Sequence, residues 1–275
     1  MIVPDEARAP IVWDPAWARA GTVDYAVTFG AAGIALAAAI VPAQAKHAYG
    51  GVLFDESVRN ALRPASRQAR YIARDTSDVL VSLAATSPFF IDAMITTWWY
   101  RKSRDTAYEM AVIDAEAMAI TAALQQVSTG VASRERPYGR DCGGDLPNEA
   151  NDCSNPTRYR SFFSGHSSLS FTGAGLVCSH HLHLDLLGGG APDVAACVTA
   201  YAAAATTATL RIVGDMHYAT DVLTGFIIGT AVGLGVPAIH YARRSPEGAT
   251  RPTTTGTLEV NVVPLPNGVG VGGIF

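Results

Sequence analysis

The stretch 211–241 reads RIVGDMHYATDVLTGFIIGTAVGLGVPAIHY, a short polar junction followed by a long apolar run. The apolar part, 219–241, is long enough to cross a hydrocarbon layer of ~30 Å as one helix. Gly225, Gly229 and Gly233 are spaced four residues apart, so they share one helical face and allow a neighbouring helix to approach closely. The stretch therefore predicts a tightly packed helix of membrane-spanning length, entered through a junction that carries reactive side chains.

Five other segments have the same apolar character, and each is about as long as a membrane-spanning helix. They are 25–43, 79–99, 107–127, 166–184 and 192–213. We therefore expect an all-α fold, a six-helix membrane bundle over residues 25–241. The N-terminal segment 1–24 precedes it, and the tail 242–275 is expected to form a short C-terminal β-hairpin or to be flexible. A soluble all-helical protein with Ala-rich buried helices is the competing interpretation.

The composition narrows the classes of function. Of the 275 residues, 49% are hydrophobic and only 16% are charged, which excludes general disorder. The net charge of −4 gives no sign of a nucleic acid partner, because such a partner requires a strong basic excess. Three acidic residues lie inside the apolar segments and should face the bundle interior, namely Asp92, Asp114 and Glu116.

Arginines recur at helical spacing in the segment 44–78, between the first two predicted spans. They are Arg59, Arg63, Arg67, Arg70 and Arg74, and they fall near one helical face. Two interpretations stay open at this point. The arginines either form a solvated helix face or belong to an interfacial helix that attracts the anionic head groups of membrane lipids.

Three short polar segments lie at the ends of the predicted helices. They are 133–137, 163–168 and 211–221. Helices joined by short loops alternate in direction, so all three segments should reach the same end of the bundle. We therefore expect them to form one pocket.

The side chains in these segments suit a phosphoryl transfer site that uses no metal and no cofactor. His217 and Asp221 are one helical turn apart, so the carboxylate can orient the imidazole and leave its other nitrogen as a nucleophile. His166 can act as the general acid that protonates the leaving oxygen. The groups expected to bind the phosphate oxygens are Arg136, Arg211, Ser164 and Gly165, the last two through backbone N–H groups before a helix.

Together these motifs resemble those of the type 2 phosphatidic acid phosphatase superfamily, which also contains bacterial acid phosphatases and vanadium haloperoxidases. The resemblance covers about 107–241. It implies that His217 forms a phosphohistidine, that Asp221 orients it and that His166 is the general acid.

The sequence departs from the family pattern at three positions. Thr129 stands where the family has a lysine, Phe163 replaces a proline and Leu210 replaces a serine. Arg134 is an auxiliary candidate to replace the lost lysine charge. We still expect an active enzyme with altered affinity for phosphate.

The expected function is a membrane phosphatase that hydrolyses a lipid phosphomonoester or pyrophosphate. Its partners would be a lipid phosphate or polyprenyl diphosphate substrate and membrane lipids, with no nucleic acid. One alternative is a vanadate-dependent haloperoxidase-like enzyme. Another is a non-catalytic membrane protein that binds anionic lipid.

The cysteines and the charge bias bear on the compartment. Cys142 and Cys153 flank an acidic loop and form either a disulfide or two free thiols. A disulfide would place the active-site end in the periplasm or exterior, with the helices in a bacterial inner membrane. At the opposite end, the aromatic and basic run 98–102 with Arg104, Arg243 and Arg244 fits a cytoplasmic face.

The other two cysteines, Cys178 and Cys197, are expected to be small buried hydrophobic residues. A metal site that joins Cys178 to His180, His181 and His183 is the alternative.

Overall fold

The computed structural model describes residues 9–43, 50–142, 153–242, 259–265 and 268–274. The helices of this part of the chain are α1 (Thr22–Ile40), α2 (Asp55–Leu62), α3 (Arg67–Ser87), α4 (Arg104–Ala132), α5 (Gly165–Leu184), α6 (Ala191–Val213) and α7 (Ala219–Ala242). Pro88–Tyr100 continues α3 as a π-helix, and Pro137–Asp141 and Pro156–Tyr159 are short 3₁₀ turns. The all-helical prediction is confirmed for the bundle, whereas the predicted count of six helices omits α2.

Four helices of the described residues are long and apolar enough to cross a membrane, judged by length and composition. They are α1, α3 with its π-helical continuation, α6, and α7 as far as Tyr241. These four helices support an integral membrane protein. The predicted spans at 107–127 and 166–184 correspond to α4 and α5, which are not among the four.

Helix α5 lies at the centre of the bundle and packs against α3, α4, α6 and α7. The glycine stripe of α7 makes this contact close, because a Cβ added at Gly225 would lie only 2.7 Å from the carbonyl oxygen of Ser164. Gly229 and Gly233 face the backbone of Ser168 and Thr172 in the same way. The predicted role of the stripe in helix packing is therefore confirmed.

The bundle has two distinguishable ends. At the junction end, α4 and α6 end and α5 and α7 begin. At the opposite end, the chain before α1 packs onto the bundle through Trp13, which is 2% exposed and lies 5.5 Å from Tyr241 between ring centroids. Trp13 belongs to an apolar core that includes Met110 and Leu176.

The three acidic residues predicted to face the interior are buried. Asp92 is 5% exposed, Asp114 is 3% exposed and Glu116 is 8% exposed. Each has a histidine partner, and the nitrogen–oxygen distances are 3.4 Å for Asp92–His181, 2.8 Å for Asp114–His180 and 3.2 Å for Glu116–His240. Pairing inside the bundle reduces the cost of placing these charges among apolar helices.

The structure divides the five arginines of the segment 44–78 between α2, the residue after it and α3, and three of them contradict both interpretations. Arg59, Arg70 and Arg74 are buried rather than solvated or facing lipid. Arg59 donates two hydrogen bonds to Asp215, at 2.6 and 2.8 Å, and Arg74 donates one to the carbonyl of Gly214 at 2.7 Å. The arginines thus hold α2 and α3 against the α6–α7 junction, because carboxylate and carbonyl acceptors are available there.

All four cysteines of the chain are paired. Cys142 and Cys153 form the disulfide that the sequence left open. Cys178 and Cys197 form a second disulfide between α5 and α6, with Cα atoms 4.4 Å apart, which the sequence analysis did not predict. Cys178 is buried as expected, at 3% exposed, whereas Cys197 is partly buried. The alternative metal site fails for the same reason, since Cys178 is bonded to Cys197 rather than available as a thiolate.

The chain divides into two units, Met1–Arg244 and Ser245–Phe275. The second unit contains an antiparallel strand pair, β1 (Glu259–Leu265) and β2 (Gly268–Ile274), with Val262 opposite Val271. Arg243 and Arg244, which the sequence assigns to a cytoplasmic face, lie outside the described residues.

Candidate active site

The structure brings the three polar segments together at the junction end. Backbone hydrogen bonds join them, in one case through Ser161, which lies just before the segment 163–168. The Ser164 N–H donates to the carbonyl of Asp221 at 3.1 Å, and the Ser161 N–H donates to the carbonyl of Arg134 at 3.0 Å. Hydrogen bonds between backbone groups therefore hold the three segments together, in addition to the direction of the helices.

His217 is held in one tautomer by a backbone carbonyl. Its Nδ1 lies 2.8 Å from the carbonyl oxygen of Ser161, and the residue is 2% exposed. A carbonyl oxygen only accepts, so Nδ1 carries the proton and Nε2 keeps its lone pair. Burial, and then the charges of Arg136 and Arg211, lower the pKa of His217 to about 3 against the opposing effect of Asp221. The ring is therefore a neutral imidazole with a free nucleophilic nitrogen.

The sequence predicts that Asp221 orients His217 directly, whereas in the structure Asp221 acts through Ser161. Its Oδ2 is 3.8 Å from Nδ1 of His217, beyond hydrogen-bonding distance. The same Oδ2 accepts the hydroxyl of Ser161 at 2.6 Å and the Tyr218 N–H at 2.9 Å. Asp221 therefore positions Ser161, and the carbonyl of Ser161 in turn orients the imidazole.

Arg134 is occupied by two carboxylates. Its guanidinium donates to Asp221 at 2.6 Å and to Asp55 at 2.7 Å, and it lies over the Tyr218 ring at 4.4 Å. Asp55 also accepts the Thr220 N–H at 2.8 Å. The carboxylates raise the pKa of Arg134 although burial acts to lower it. Arg134 thus braces the start of α7, and its charge is already balanced.

Asp78 is a site residue that the sequence analysis missed. Its Oδ1 lies 2.6 Å from Nε2 of His166 and accepts a hydrogen bond from Nη1 of Arg211 at 2.9 Å. Arg211 also donates to the hydroxyl of Ser77 at 2.9 Å, and its Nε is buried without a hydrogen-bond partner. The Asp78 side chain is 58% exposed, so it can change position more easily than its partners.

The remaining predicted phosphate ligands lie at the start of α5 and beside α6. Ser164 is the N-cap of α5, where its hydroxyl accepts the Ser167 N–H at 3.3 Å. Gly165 follows directly, and a Cβ there would lie 3.1 Å from the Gln125 amide carbon. Arg136 contributes positive charge near His217, and its Nη1 lies 3.8 Å from the sulfur of Met216.

The positions that depart from the family pattern have structural roles. Thr129 is fully buried and its hydroxyl donates to the carbonyl of Gln126 at 3.0 Å, so it contacts its own helix. Phe163 is 3% exposed and packs in the segment before α5. Positive charge at the junction end is instead supplied by arginines.

An apolar cavity of about 470 Å³ opens beside Arg134 and Thr220. Most of its lining comes from the chain before α2 and from the first two turns of α7, and includes Val52, Leu53, Phe54, Leu223 and Ile227. A polar site with an apolar cavity next to it can accommodate a molecule with a charged head and a hydrocarbon tail.

Comparison with known proteins points to the same superfamily as the sequence motifs. The family model of the PAP2 superfamily matches residues 111–245, which confirms the resemblance drawn from the motifs. A lipid A 1-phosphatase of Porphyromonas gingivalis is 30% identical over 164 residues, which are 58% of this chain and 31% of that protein. The chain thus spans about a third of the length of this curated relative.

A solved structure, a transmembrane PAP2-type phosphatidylglycerolphosphate phosphatase from Bacillus subtilis, covers 78% of this chain and 93% of its own. The two are 20% identical in sequence, with a TM-score of 0.46.

Proposed function

We propose that this chain, whose residues 111–245 carry a PAP2 superfamily domain, is a membrane phosphatase that acts on a lipid phosphomonoester or pyrophosphate. The observation that carries the proposal is the state of His217. A buried, neutral imidazole with a fixed Nδ1 proton presents Nε2 to a site rich in arginine. This is the arrangement that a histidine nucleophile needs to attack an anionic phosphate.

The first step forms a covalent phosphohistidine. The Nε2 lone pair of His217 attacks phosphorus, and the bond from phosphorus to the leaving oxygen breaks. His166 in its imidazolium form gives its proton to that oxygen. Arg136 and Arg211 bind the phosphoryl oxygens and stabilise the charge on them in the transition state.

The second step releases phosphate. A water molecule attacks phosphorus, the phosphorus–nitrogen bond breaks, and His166, now neutral, accepts the proton of the water. Inorganic phosphate leaves, and both histidines return to their starting protonation states. The residues of the chain supply the nucleophile, the acid and base, and the anion ligands.

Asp78 has a second role in this cycle. Its carboxylate contacts both His166 and Arg211, so it favours the imidazolium form of His166. It also competes with phosphate for Arg211. Burial and then the charge of Arg211 lower the pKa of His166 to about 4, and Asp78 acts against this shift. The exposed Asp78 side chain is expected to turn away from Arg211 when phosphate binds, and the negative charge of the phosphate then favours the imidazolium form that protonates the leaving oxygen.

The substrate is proposed to be a lipid because of the apolar cavity beside the site. The cavity lining is mostly apolar, and it adjoins the start of α7, where Asp221 lies. The relative from Porphyromonas gingivalis is a lipid A 1-phosphatase, which supports the same substrate class. The proposed substrates are a lipid phosphate and a polyprenyl diphosphate.

The active-site end is proposed to face the periplasm or exterior. The Cys142–Cys153 disulfide lies in the loop that follows Arg136, and disulfides persist in oxidising compartments. The second disulfide, Cys178–Cys197, requires the same conditions during folding. Labelling of a cysteine introduced into this loop, in intact cells with an impermeant maleimide, tests the orientation.

The test of the function uses the full chain purified in detergent. We expect turnover of phosphatidate, phosphatidylglycerophosphate, lipid A 1-phosphate or polyprenyl diphosphate, with inhibition by vanadate, which mimics the phosphoryl transition state. His217→Ala should lower kcat by about 10⁴-fold or more, because the covalent step is lost. Rapid acid-free quenching with labelled substrate should trap a phosphoenzyme that is stable to alkali and labile to acid.

The matched control is His183→Ala, a histidine of α5 at the opposite end. It should retain wild-type turnover. Equal activity of His217→Ala and wild type would overturn the proposal. A protein that binds these lipids without turnover would instead be a lipid-binding protein, and vanadate-dependent halide oxidation would make it a haloperoxidase.

A further inference from the structure

A second cluster of titratable side chains lies at the opposite end of the bundle, away from His217. Asp24 of α1, Glu116 of α4 and His240 of α7 place one ligand atom each within 4.8 Å of the others. Nε2 of His240 is 3.2 Å from Glu116 Oε2 and 3.8 Å from Asp24 Oδ1. The three helices therefore meet through one imidazole and two carboxylates.

This cluster is buried and carries excess negative charge. The side chains are 13% exposed for Asp24, 10% for Glu116 and 3% for His240. In the part of the chain that the structure describes, neither carboxylate has an arginine or lysine partner, since Arg19 pairs with Asp105 and Glu109 instead. Two carboxylates therefore share one imidazole in a low-dielectric interior, where negative charge is costly unless a cation balances it.

Nε2 is the nitrogen of His240 that faces both carboxylates. Nδ1 is buried and has no hydrogen-bond partner among the described residues. Nε2 is therefore the ring nitrogen that can bind a cation together with the two carboxylates, and Nδ1 then carries the proton.

We propose that Asp24, Glu116 and His240 bind a divalent metal ion of the zinc class. One divalent cation balances the charge of two carboxylates. Two ligands of one tetrahedral zinc are about 3.4 Å apart, and the 3.2 and 3.8 Å distances around His240 already match this spacing. Imidazole nitrogen with carboxylate oxygen is a donor set that zinc accepts, and a fourth position can be filled by water.

The metal would fasten α1 to the rest of the bundle. Helix α1 packs against α4, and the hydroxyls of Tyr25 and Tyr108 share a hydrogen bond at 2.6 Å between these helices. Asp24 lies near the beginning of α1, and its other oxygen accepts the Gly21 N–H at 2.7 Å, which fixes the carboxylate in place. A metal bridge to Glu116 and His240 would add a further attachment of α1 to α4 and α7.

The metal site is separate from the proposed reaction. His240 is 21 residues beyond Ala219, where α7 begins, which is about 30 Å along the helix at 1.5 Å per residue, and His217 lies just before that beginning. The ion would therefore be structural and would not take part in phosphoryl transfer.

The test is metal binding by the full chain in detergent, stripped with a chelator and then given Zn²⁺ alone. We expect one equivalent of Zn²⁺ by elemental analysis, a rise in Tm, and slower hydrogen exchange of residues 22–40. Glu116→Gln and His240→Asn should each lose the bound equivalent and the rise in Tm. His183→Asn, a histidine at the same end outside the cluster, should keep both.

Two further results test the proposed metal site. His166→Asn should still bind one equivalent of Zn²⁺, because the proposed ion lies away from the phosphate site. No stoichiometric binding by the wild type would overturn the proposal. The same conclusion would follow if Glu116→Gln and His240→Asn both bound Zn²⁺ as well as the wild type.

Discussion

The Nδ1 of His217 donates its hydrogen bond to the carbonyl oxygen of Ser161 at 2.8 Å, while the carboxylate of Asp221 is 3.8 Å away. The carbonyl sets the tautomer and the carboxylate supports the carbonyl through the Ser161 hydroxyl. This arrangement separates two functions, orientation of the ring and supply of negative charge, that an aspartate bonded directly to His217 would combine. Orientation of the nucleophile depends on the backbone, and the negative charge of Asp221 is balanced by Arg134.

Asp221→Ala is expected to destabilise the protein strongly. It removes one partner of a buried ion pair with Arg134, and breaking such a pair costs about 3–5 kcal/mol. Unfolding in detergent, followed by circular dichroism, measures the effect. Asp105→Ala is the matched control, because it breaks an exposed pair with Arg19 and should cost about 1 kcal/mol or less. Equal losses of stability in the two variants would contradict the stabilising role of the buried Asp221–Arg134 pair.

The imidazole of His217 is expected to stay neutral at acid pH. Its pKa is lowered to about 3, so between pH 8 and pH 5 the Nδ1–H tautomer persists and the nucleophile is not lost by protonation. Nitrogen NMR of histidine-labelled protein follows the ring, with His217→Asn used to assign its signal. Removal of a nearby positive charge in Arg136→Ala should raise this pKa. A midpoint near 6.5 in the wild type would refute the assignment.

Asp78→Asn is expected to separate binding from chemistry. Loss of the carboxylate frees Arg211 and removes a charge that repels phosphate, so the Ki of vanadate should fall about tenfold, or about 1.4 kcal/mol. kcat should fall as well, because His166 loses the group that favours its protonated form. Asp75→Asn, an exposed aspartate of the same helix, should change neither constant. Weaker vanadate binding in Asp78→Asn would show that the carboxylate assists the anion site.

Gly225→Ala is expected to disturb the phosphate site through helix packing. The new methyl group would lie 2.7 Å from the carbonyl of Ser164, so α5 and α7 must move apart, at a cost of about 1–3 kcal/mol. Both Tm and turnover should fall. Gly235→Ala, where a Cβ meets nothing within 4 Å, should leave turnover unchanged and stabilise the helix slightly. If the two alanine variants behave alike, the close approach at Gly225 does not position Ser164.

Leu223→Gln is expected to act on the lipid tail alone. Leu223 lines the apolar cavity, so a polar side chain there should raise the KM for long-chain lipid phosphates several-fold. The KM for a small aryl phosphate should not change, because that substrate has no tail. Ile239→Gln is the control, since Ile239 has a similar exposure, 48% against 47%, at the other end of the same helix. A uniform rise of KM for both substrates would place the tail elsewhere.

Several features of the fold could be predicted because they repeat locally. Apolar runs of helical length mark the bundle, and the spacing of Gly225, Gly229 and Gly233 marks the face that packs on α5. The arginines of the segment 44–78 could not be interpreted in this way. Their acceptors, Asp215 and the carbonyl of Gly214, are distant in sequence, so helical spacing alone did not show that these charges were balanced.

The candidate site likewise contains residues that the sequence identifies and residues that it does not. His166, His217 and Arg211 stand in recognisable motifs, and the structure brings His166 and Arg211 together on one carboxylate. That carboxylate, Asp78, stands at the start of an apolar segment without a motif of its own. Asp55, which pairs with Arg134, is equally unmarked. A single aspartate acquires its role only from the side chains that folding brings beside it.

The amino-acid order by itself determined which segments are helical and which side chains are reactive, because hydrophobic periodicity and motif spacing are properties of neighbouring residues. Only the tertiary structure decided which group receives the proton of His217. The acceptor is the backbone carbonyl of Ser161, and every residue carries such a carbonyl. No pattern of side chains can single it out, since its position depends on the packing of α5 against α7.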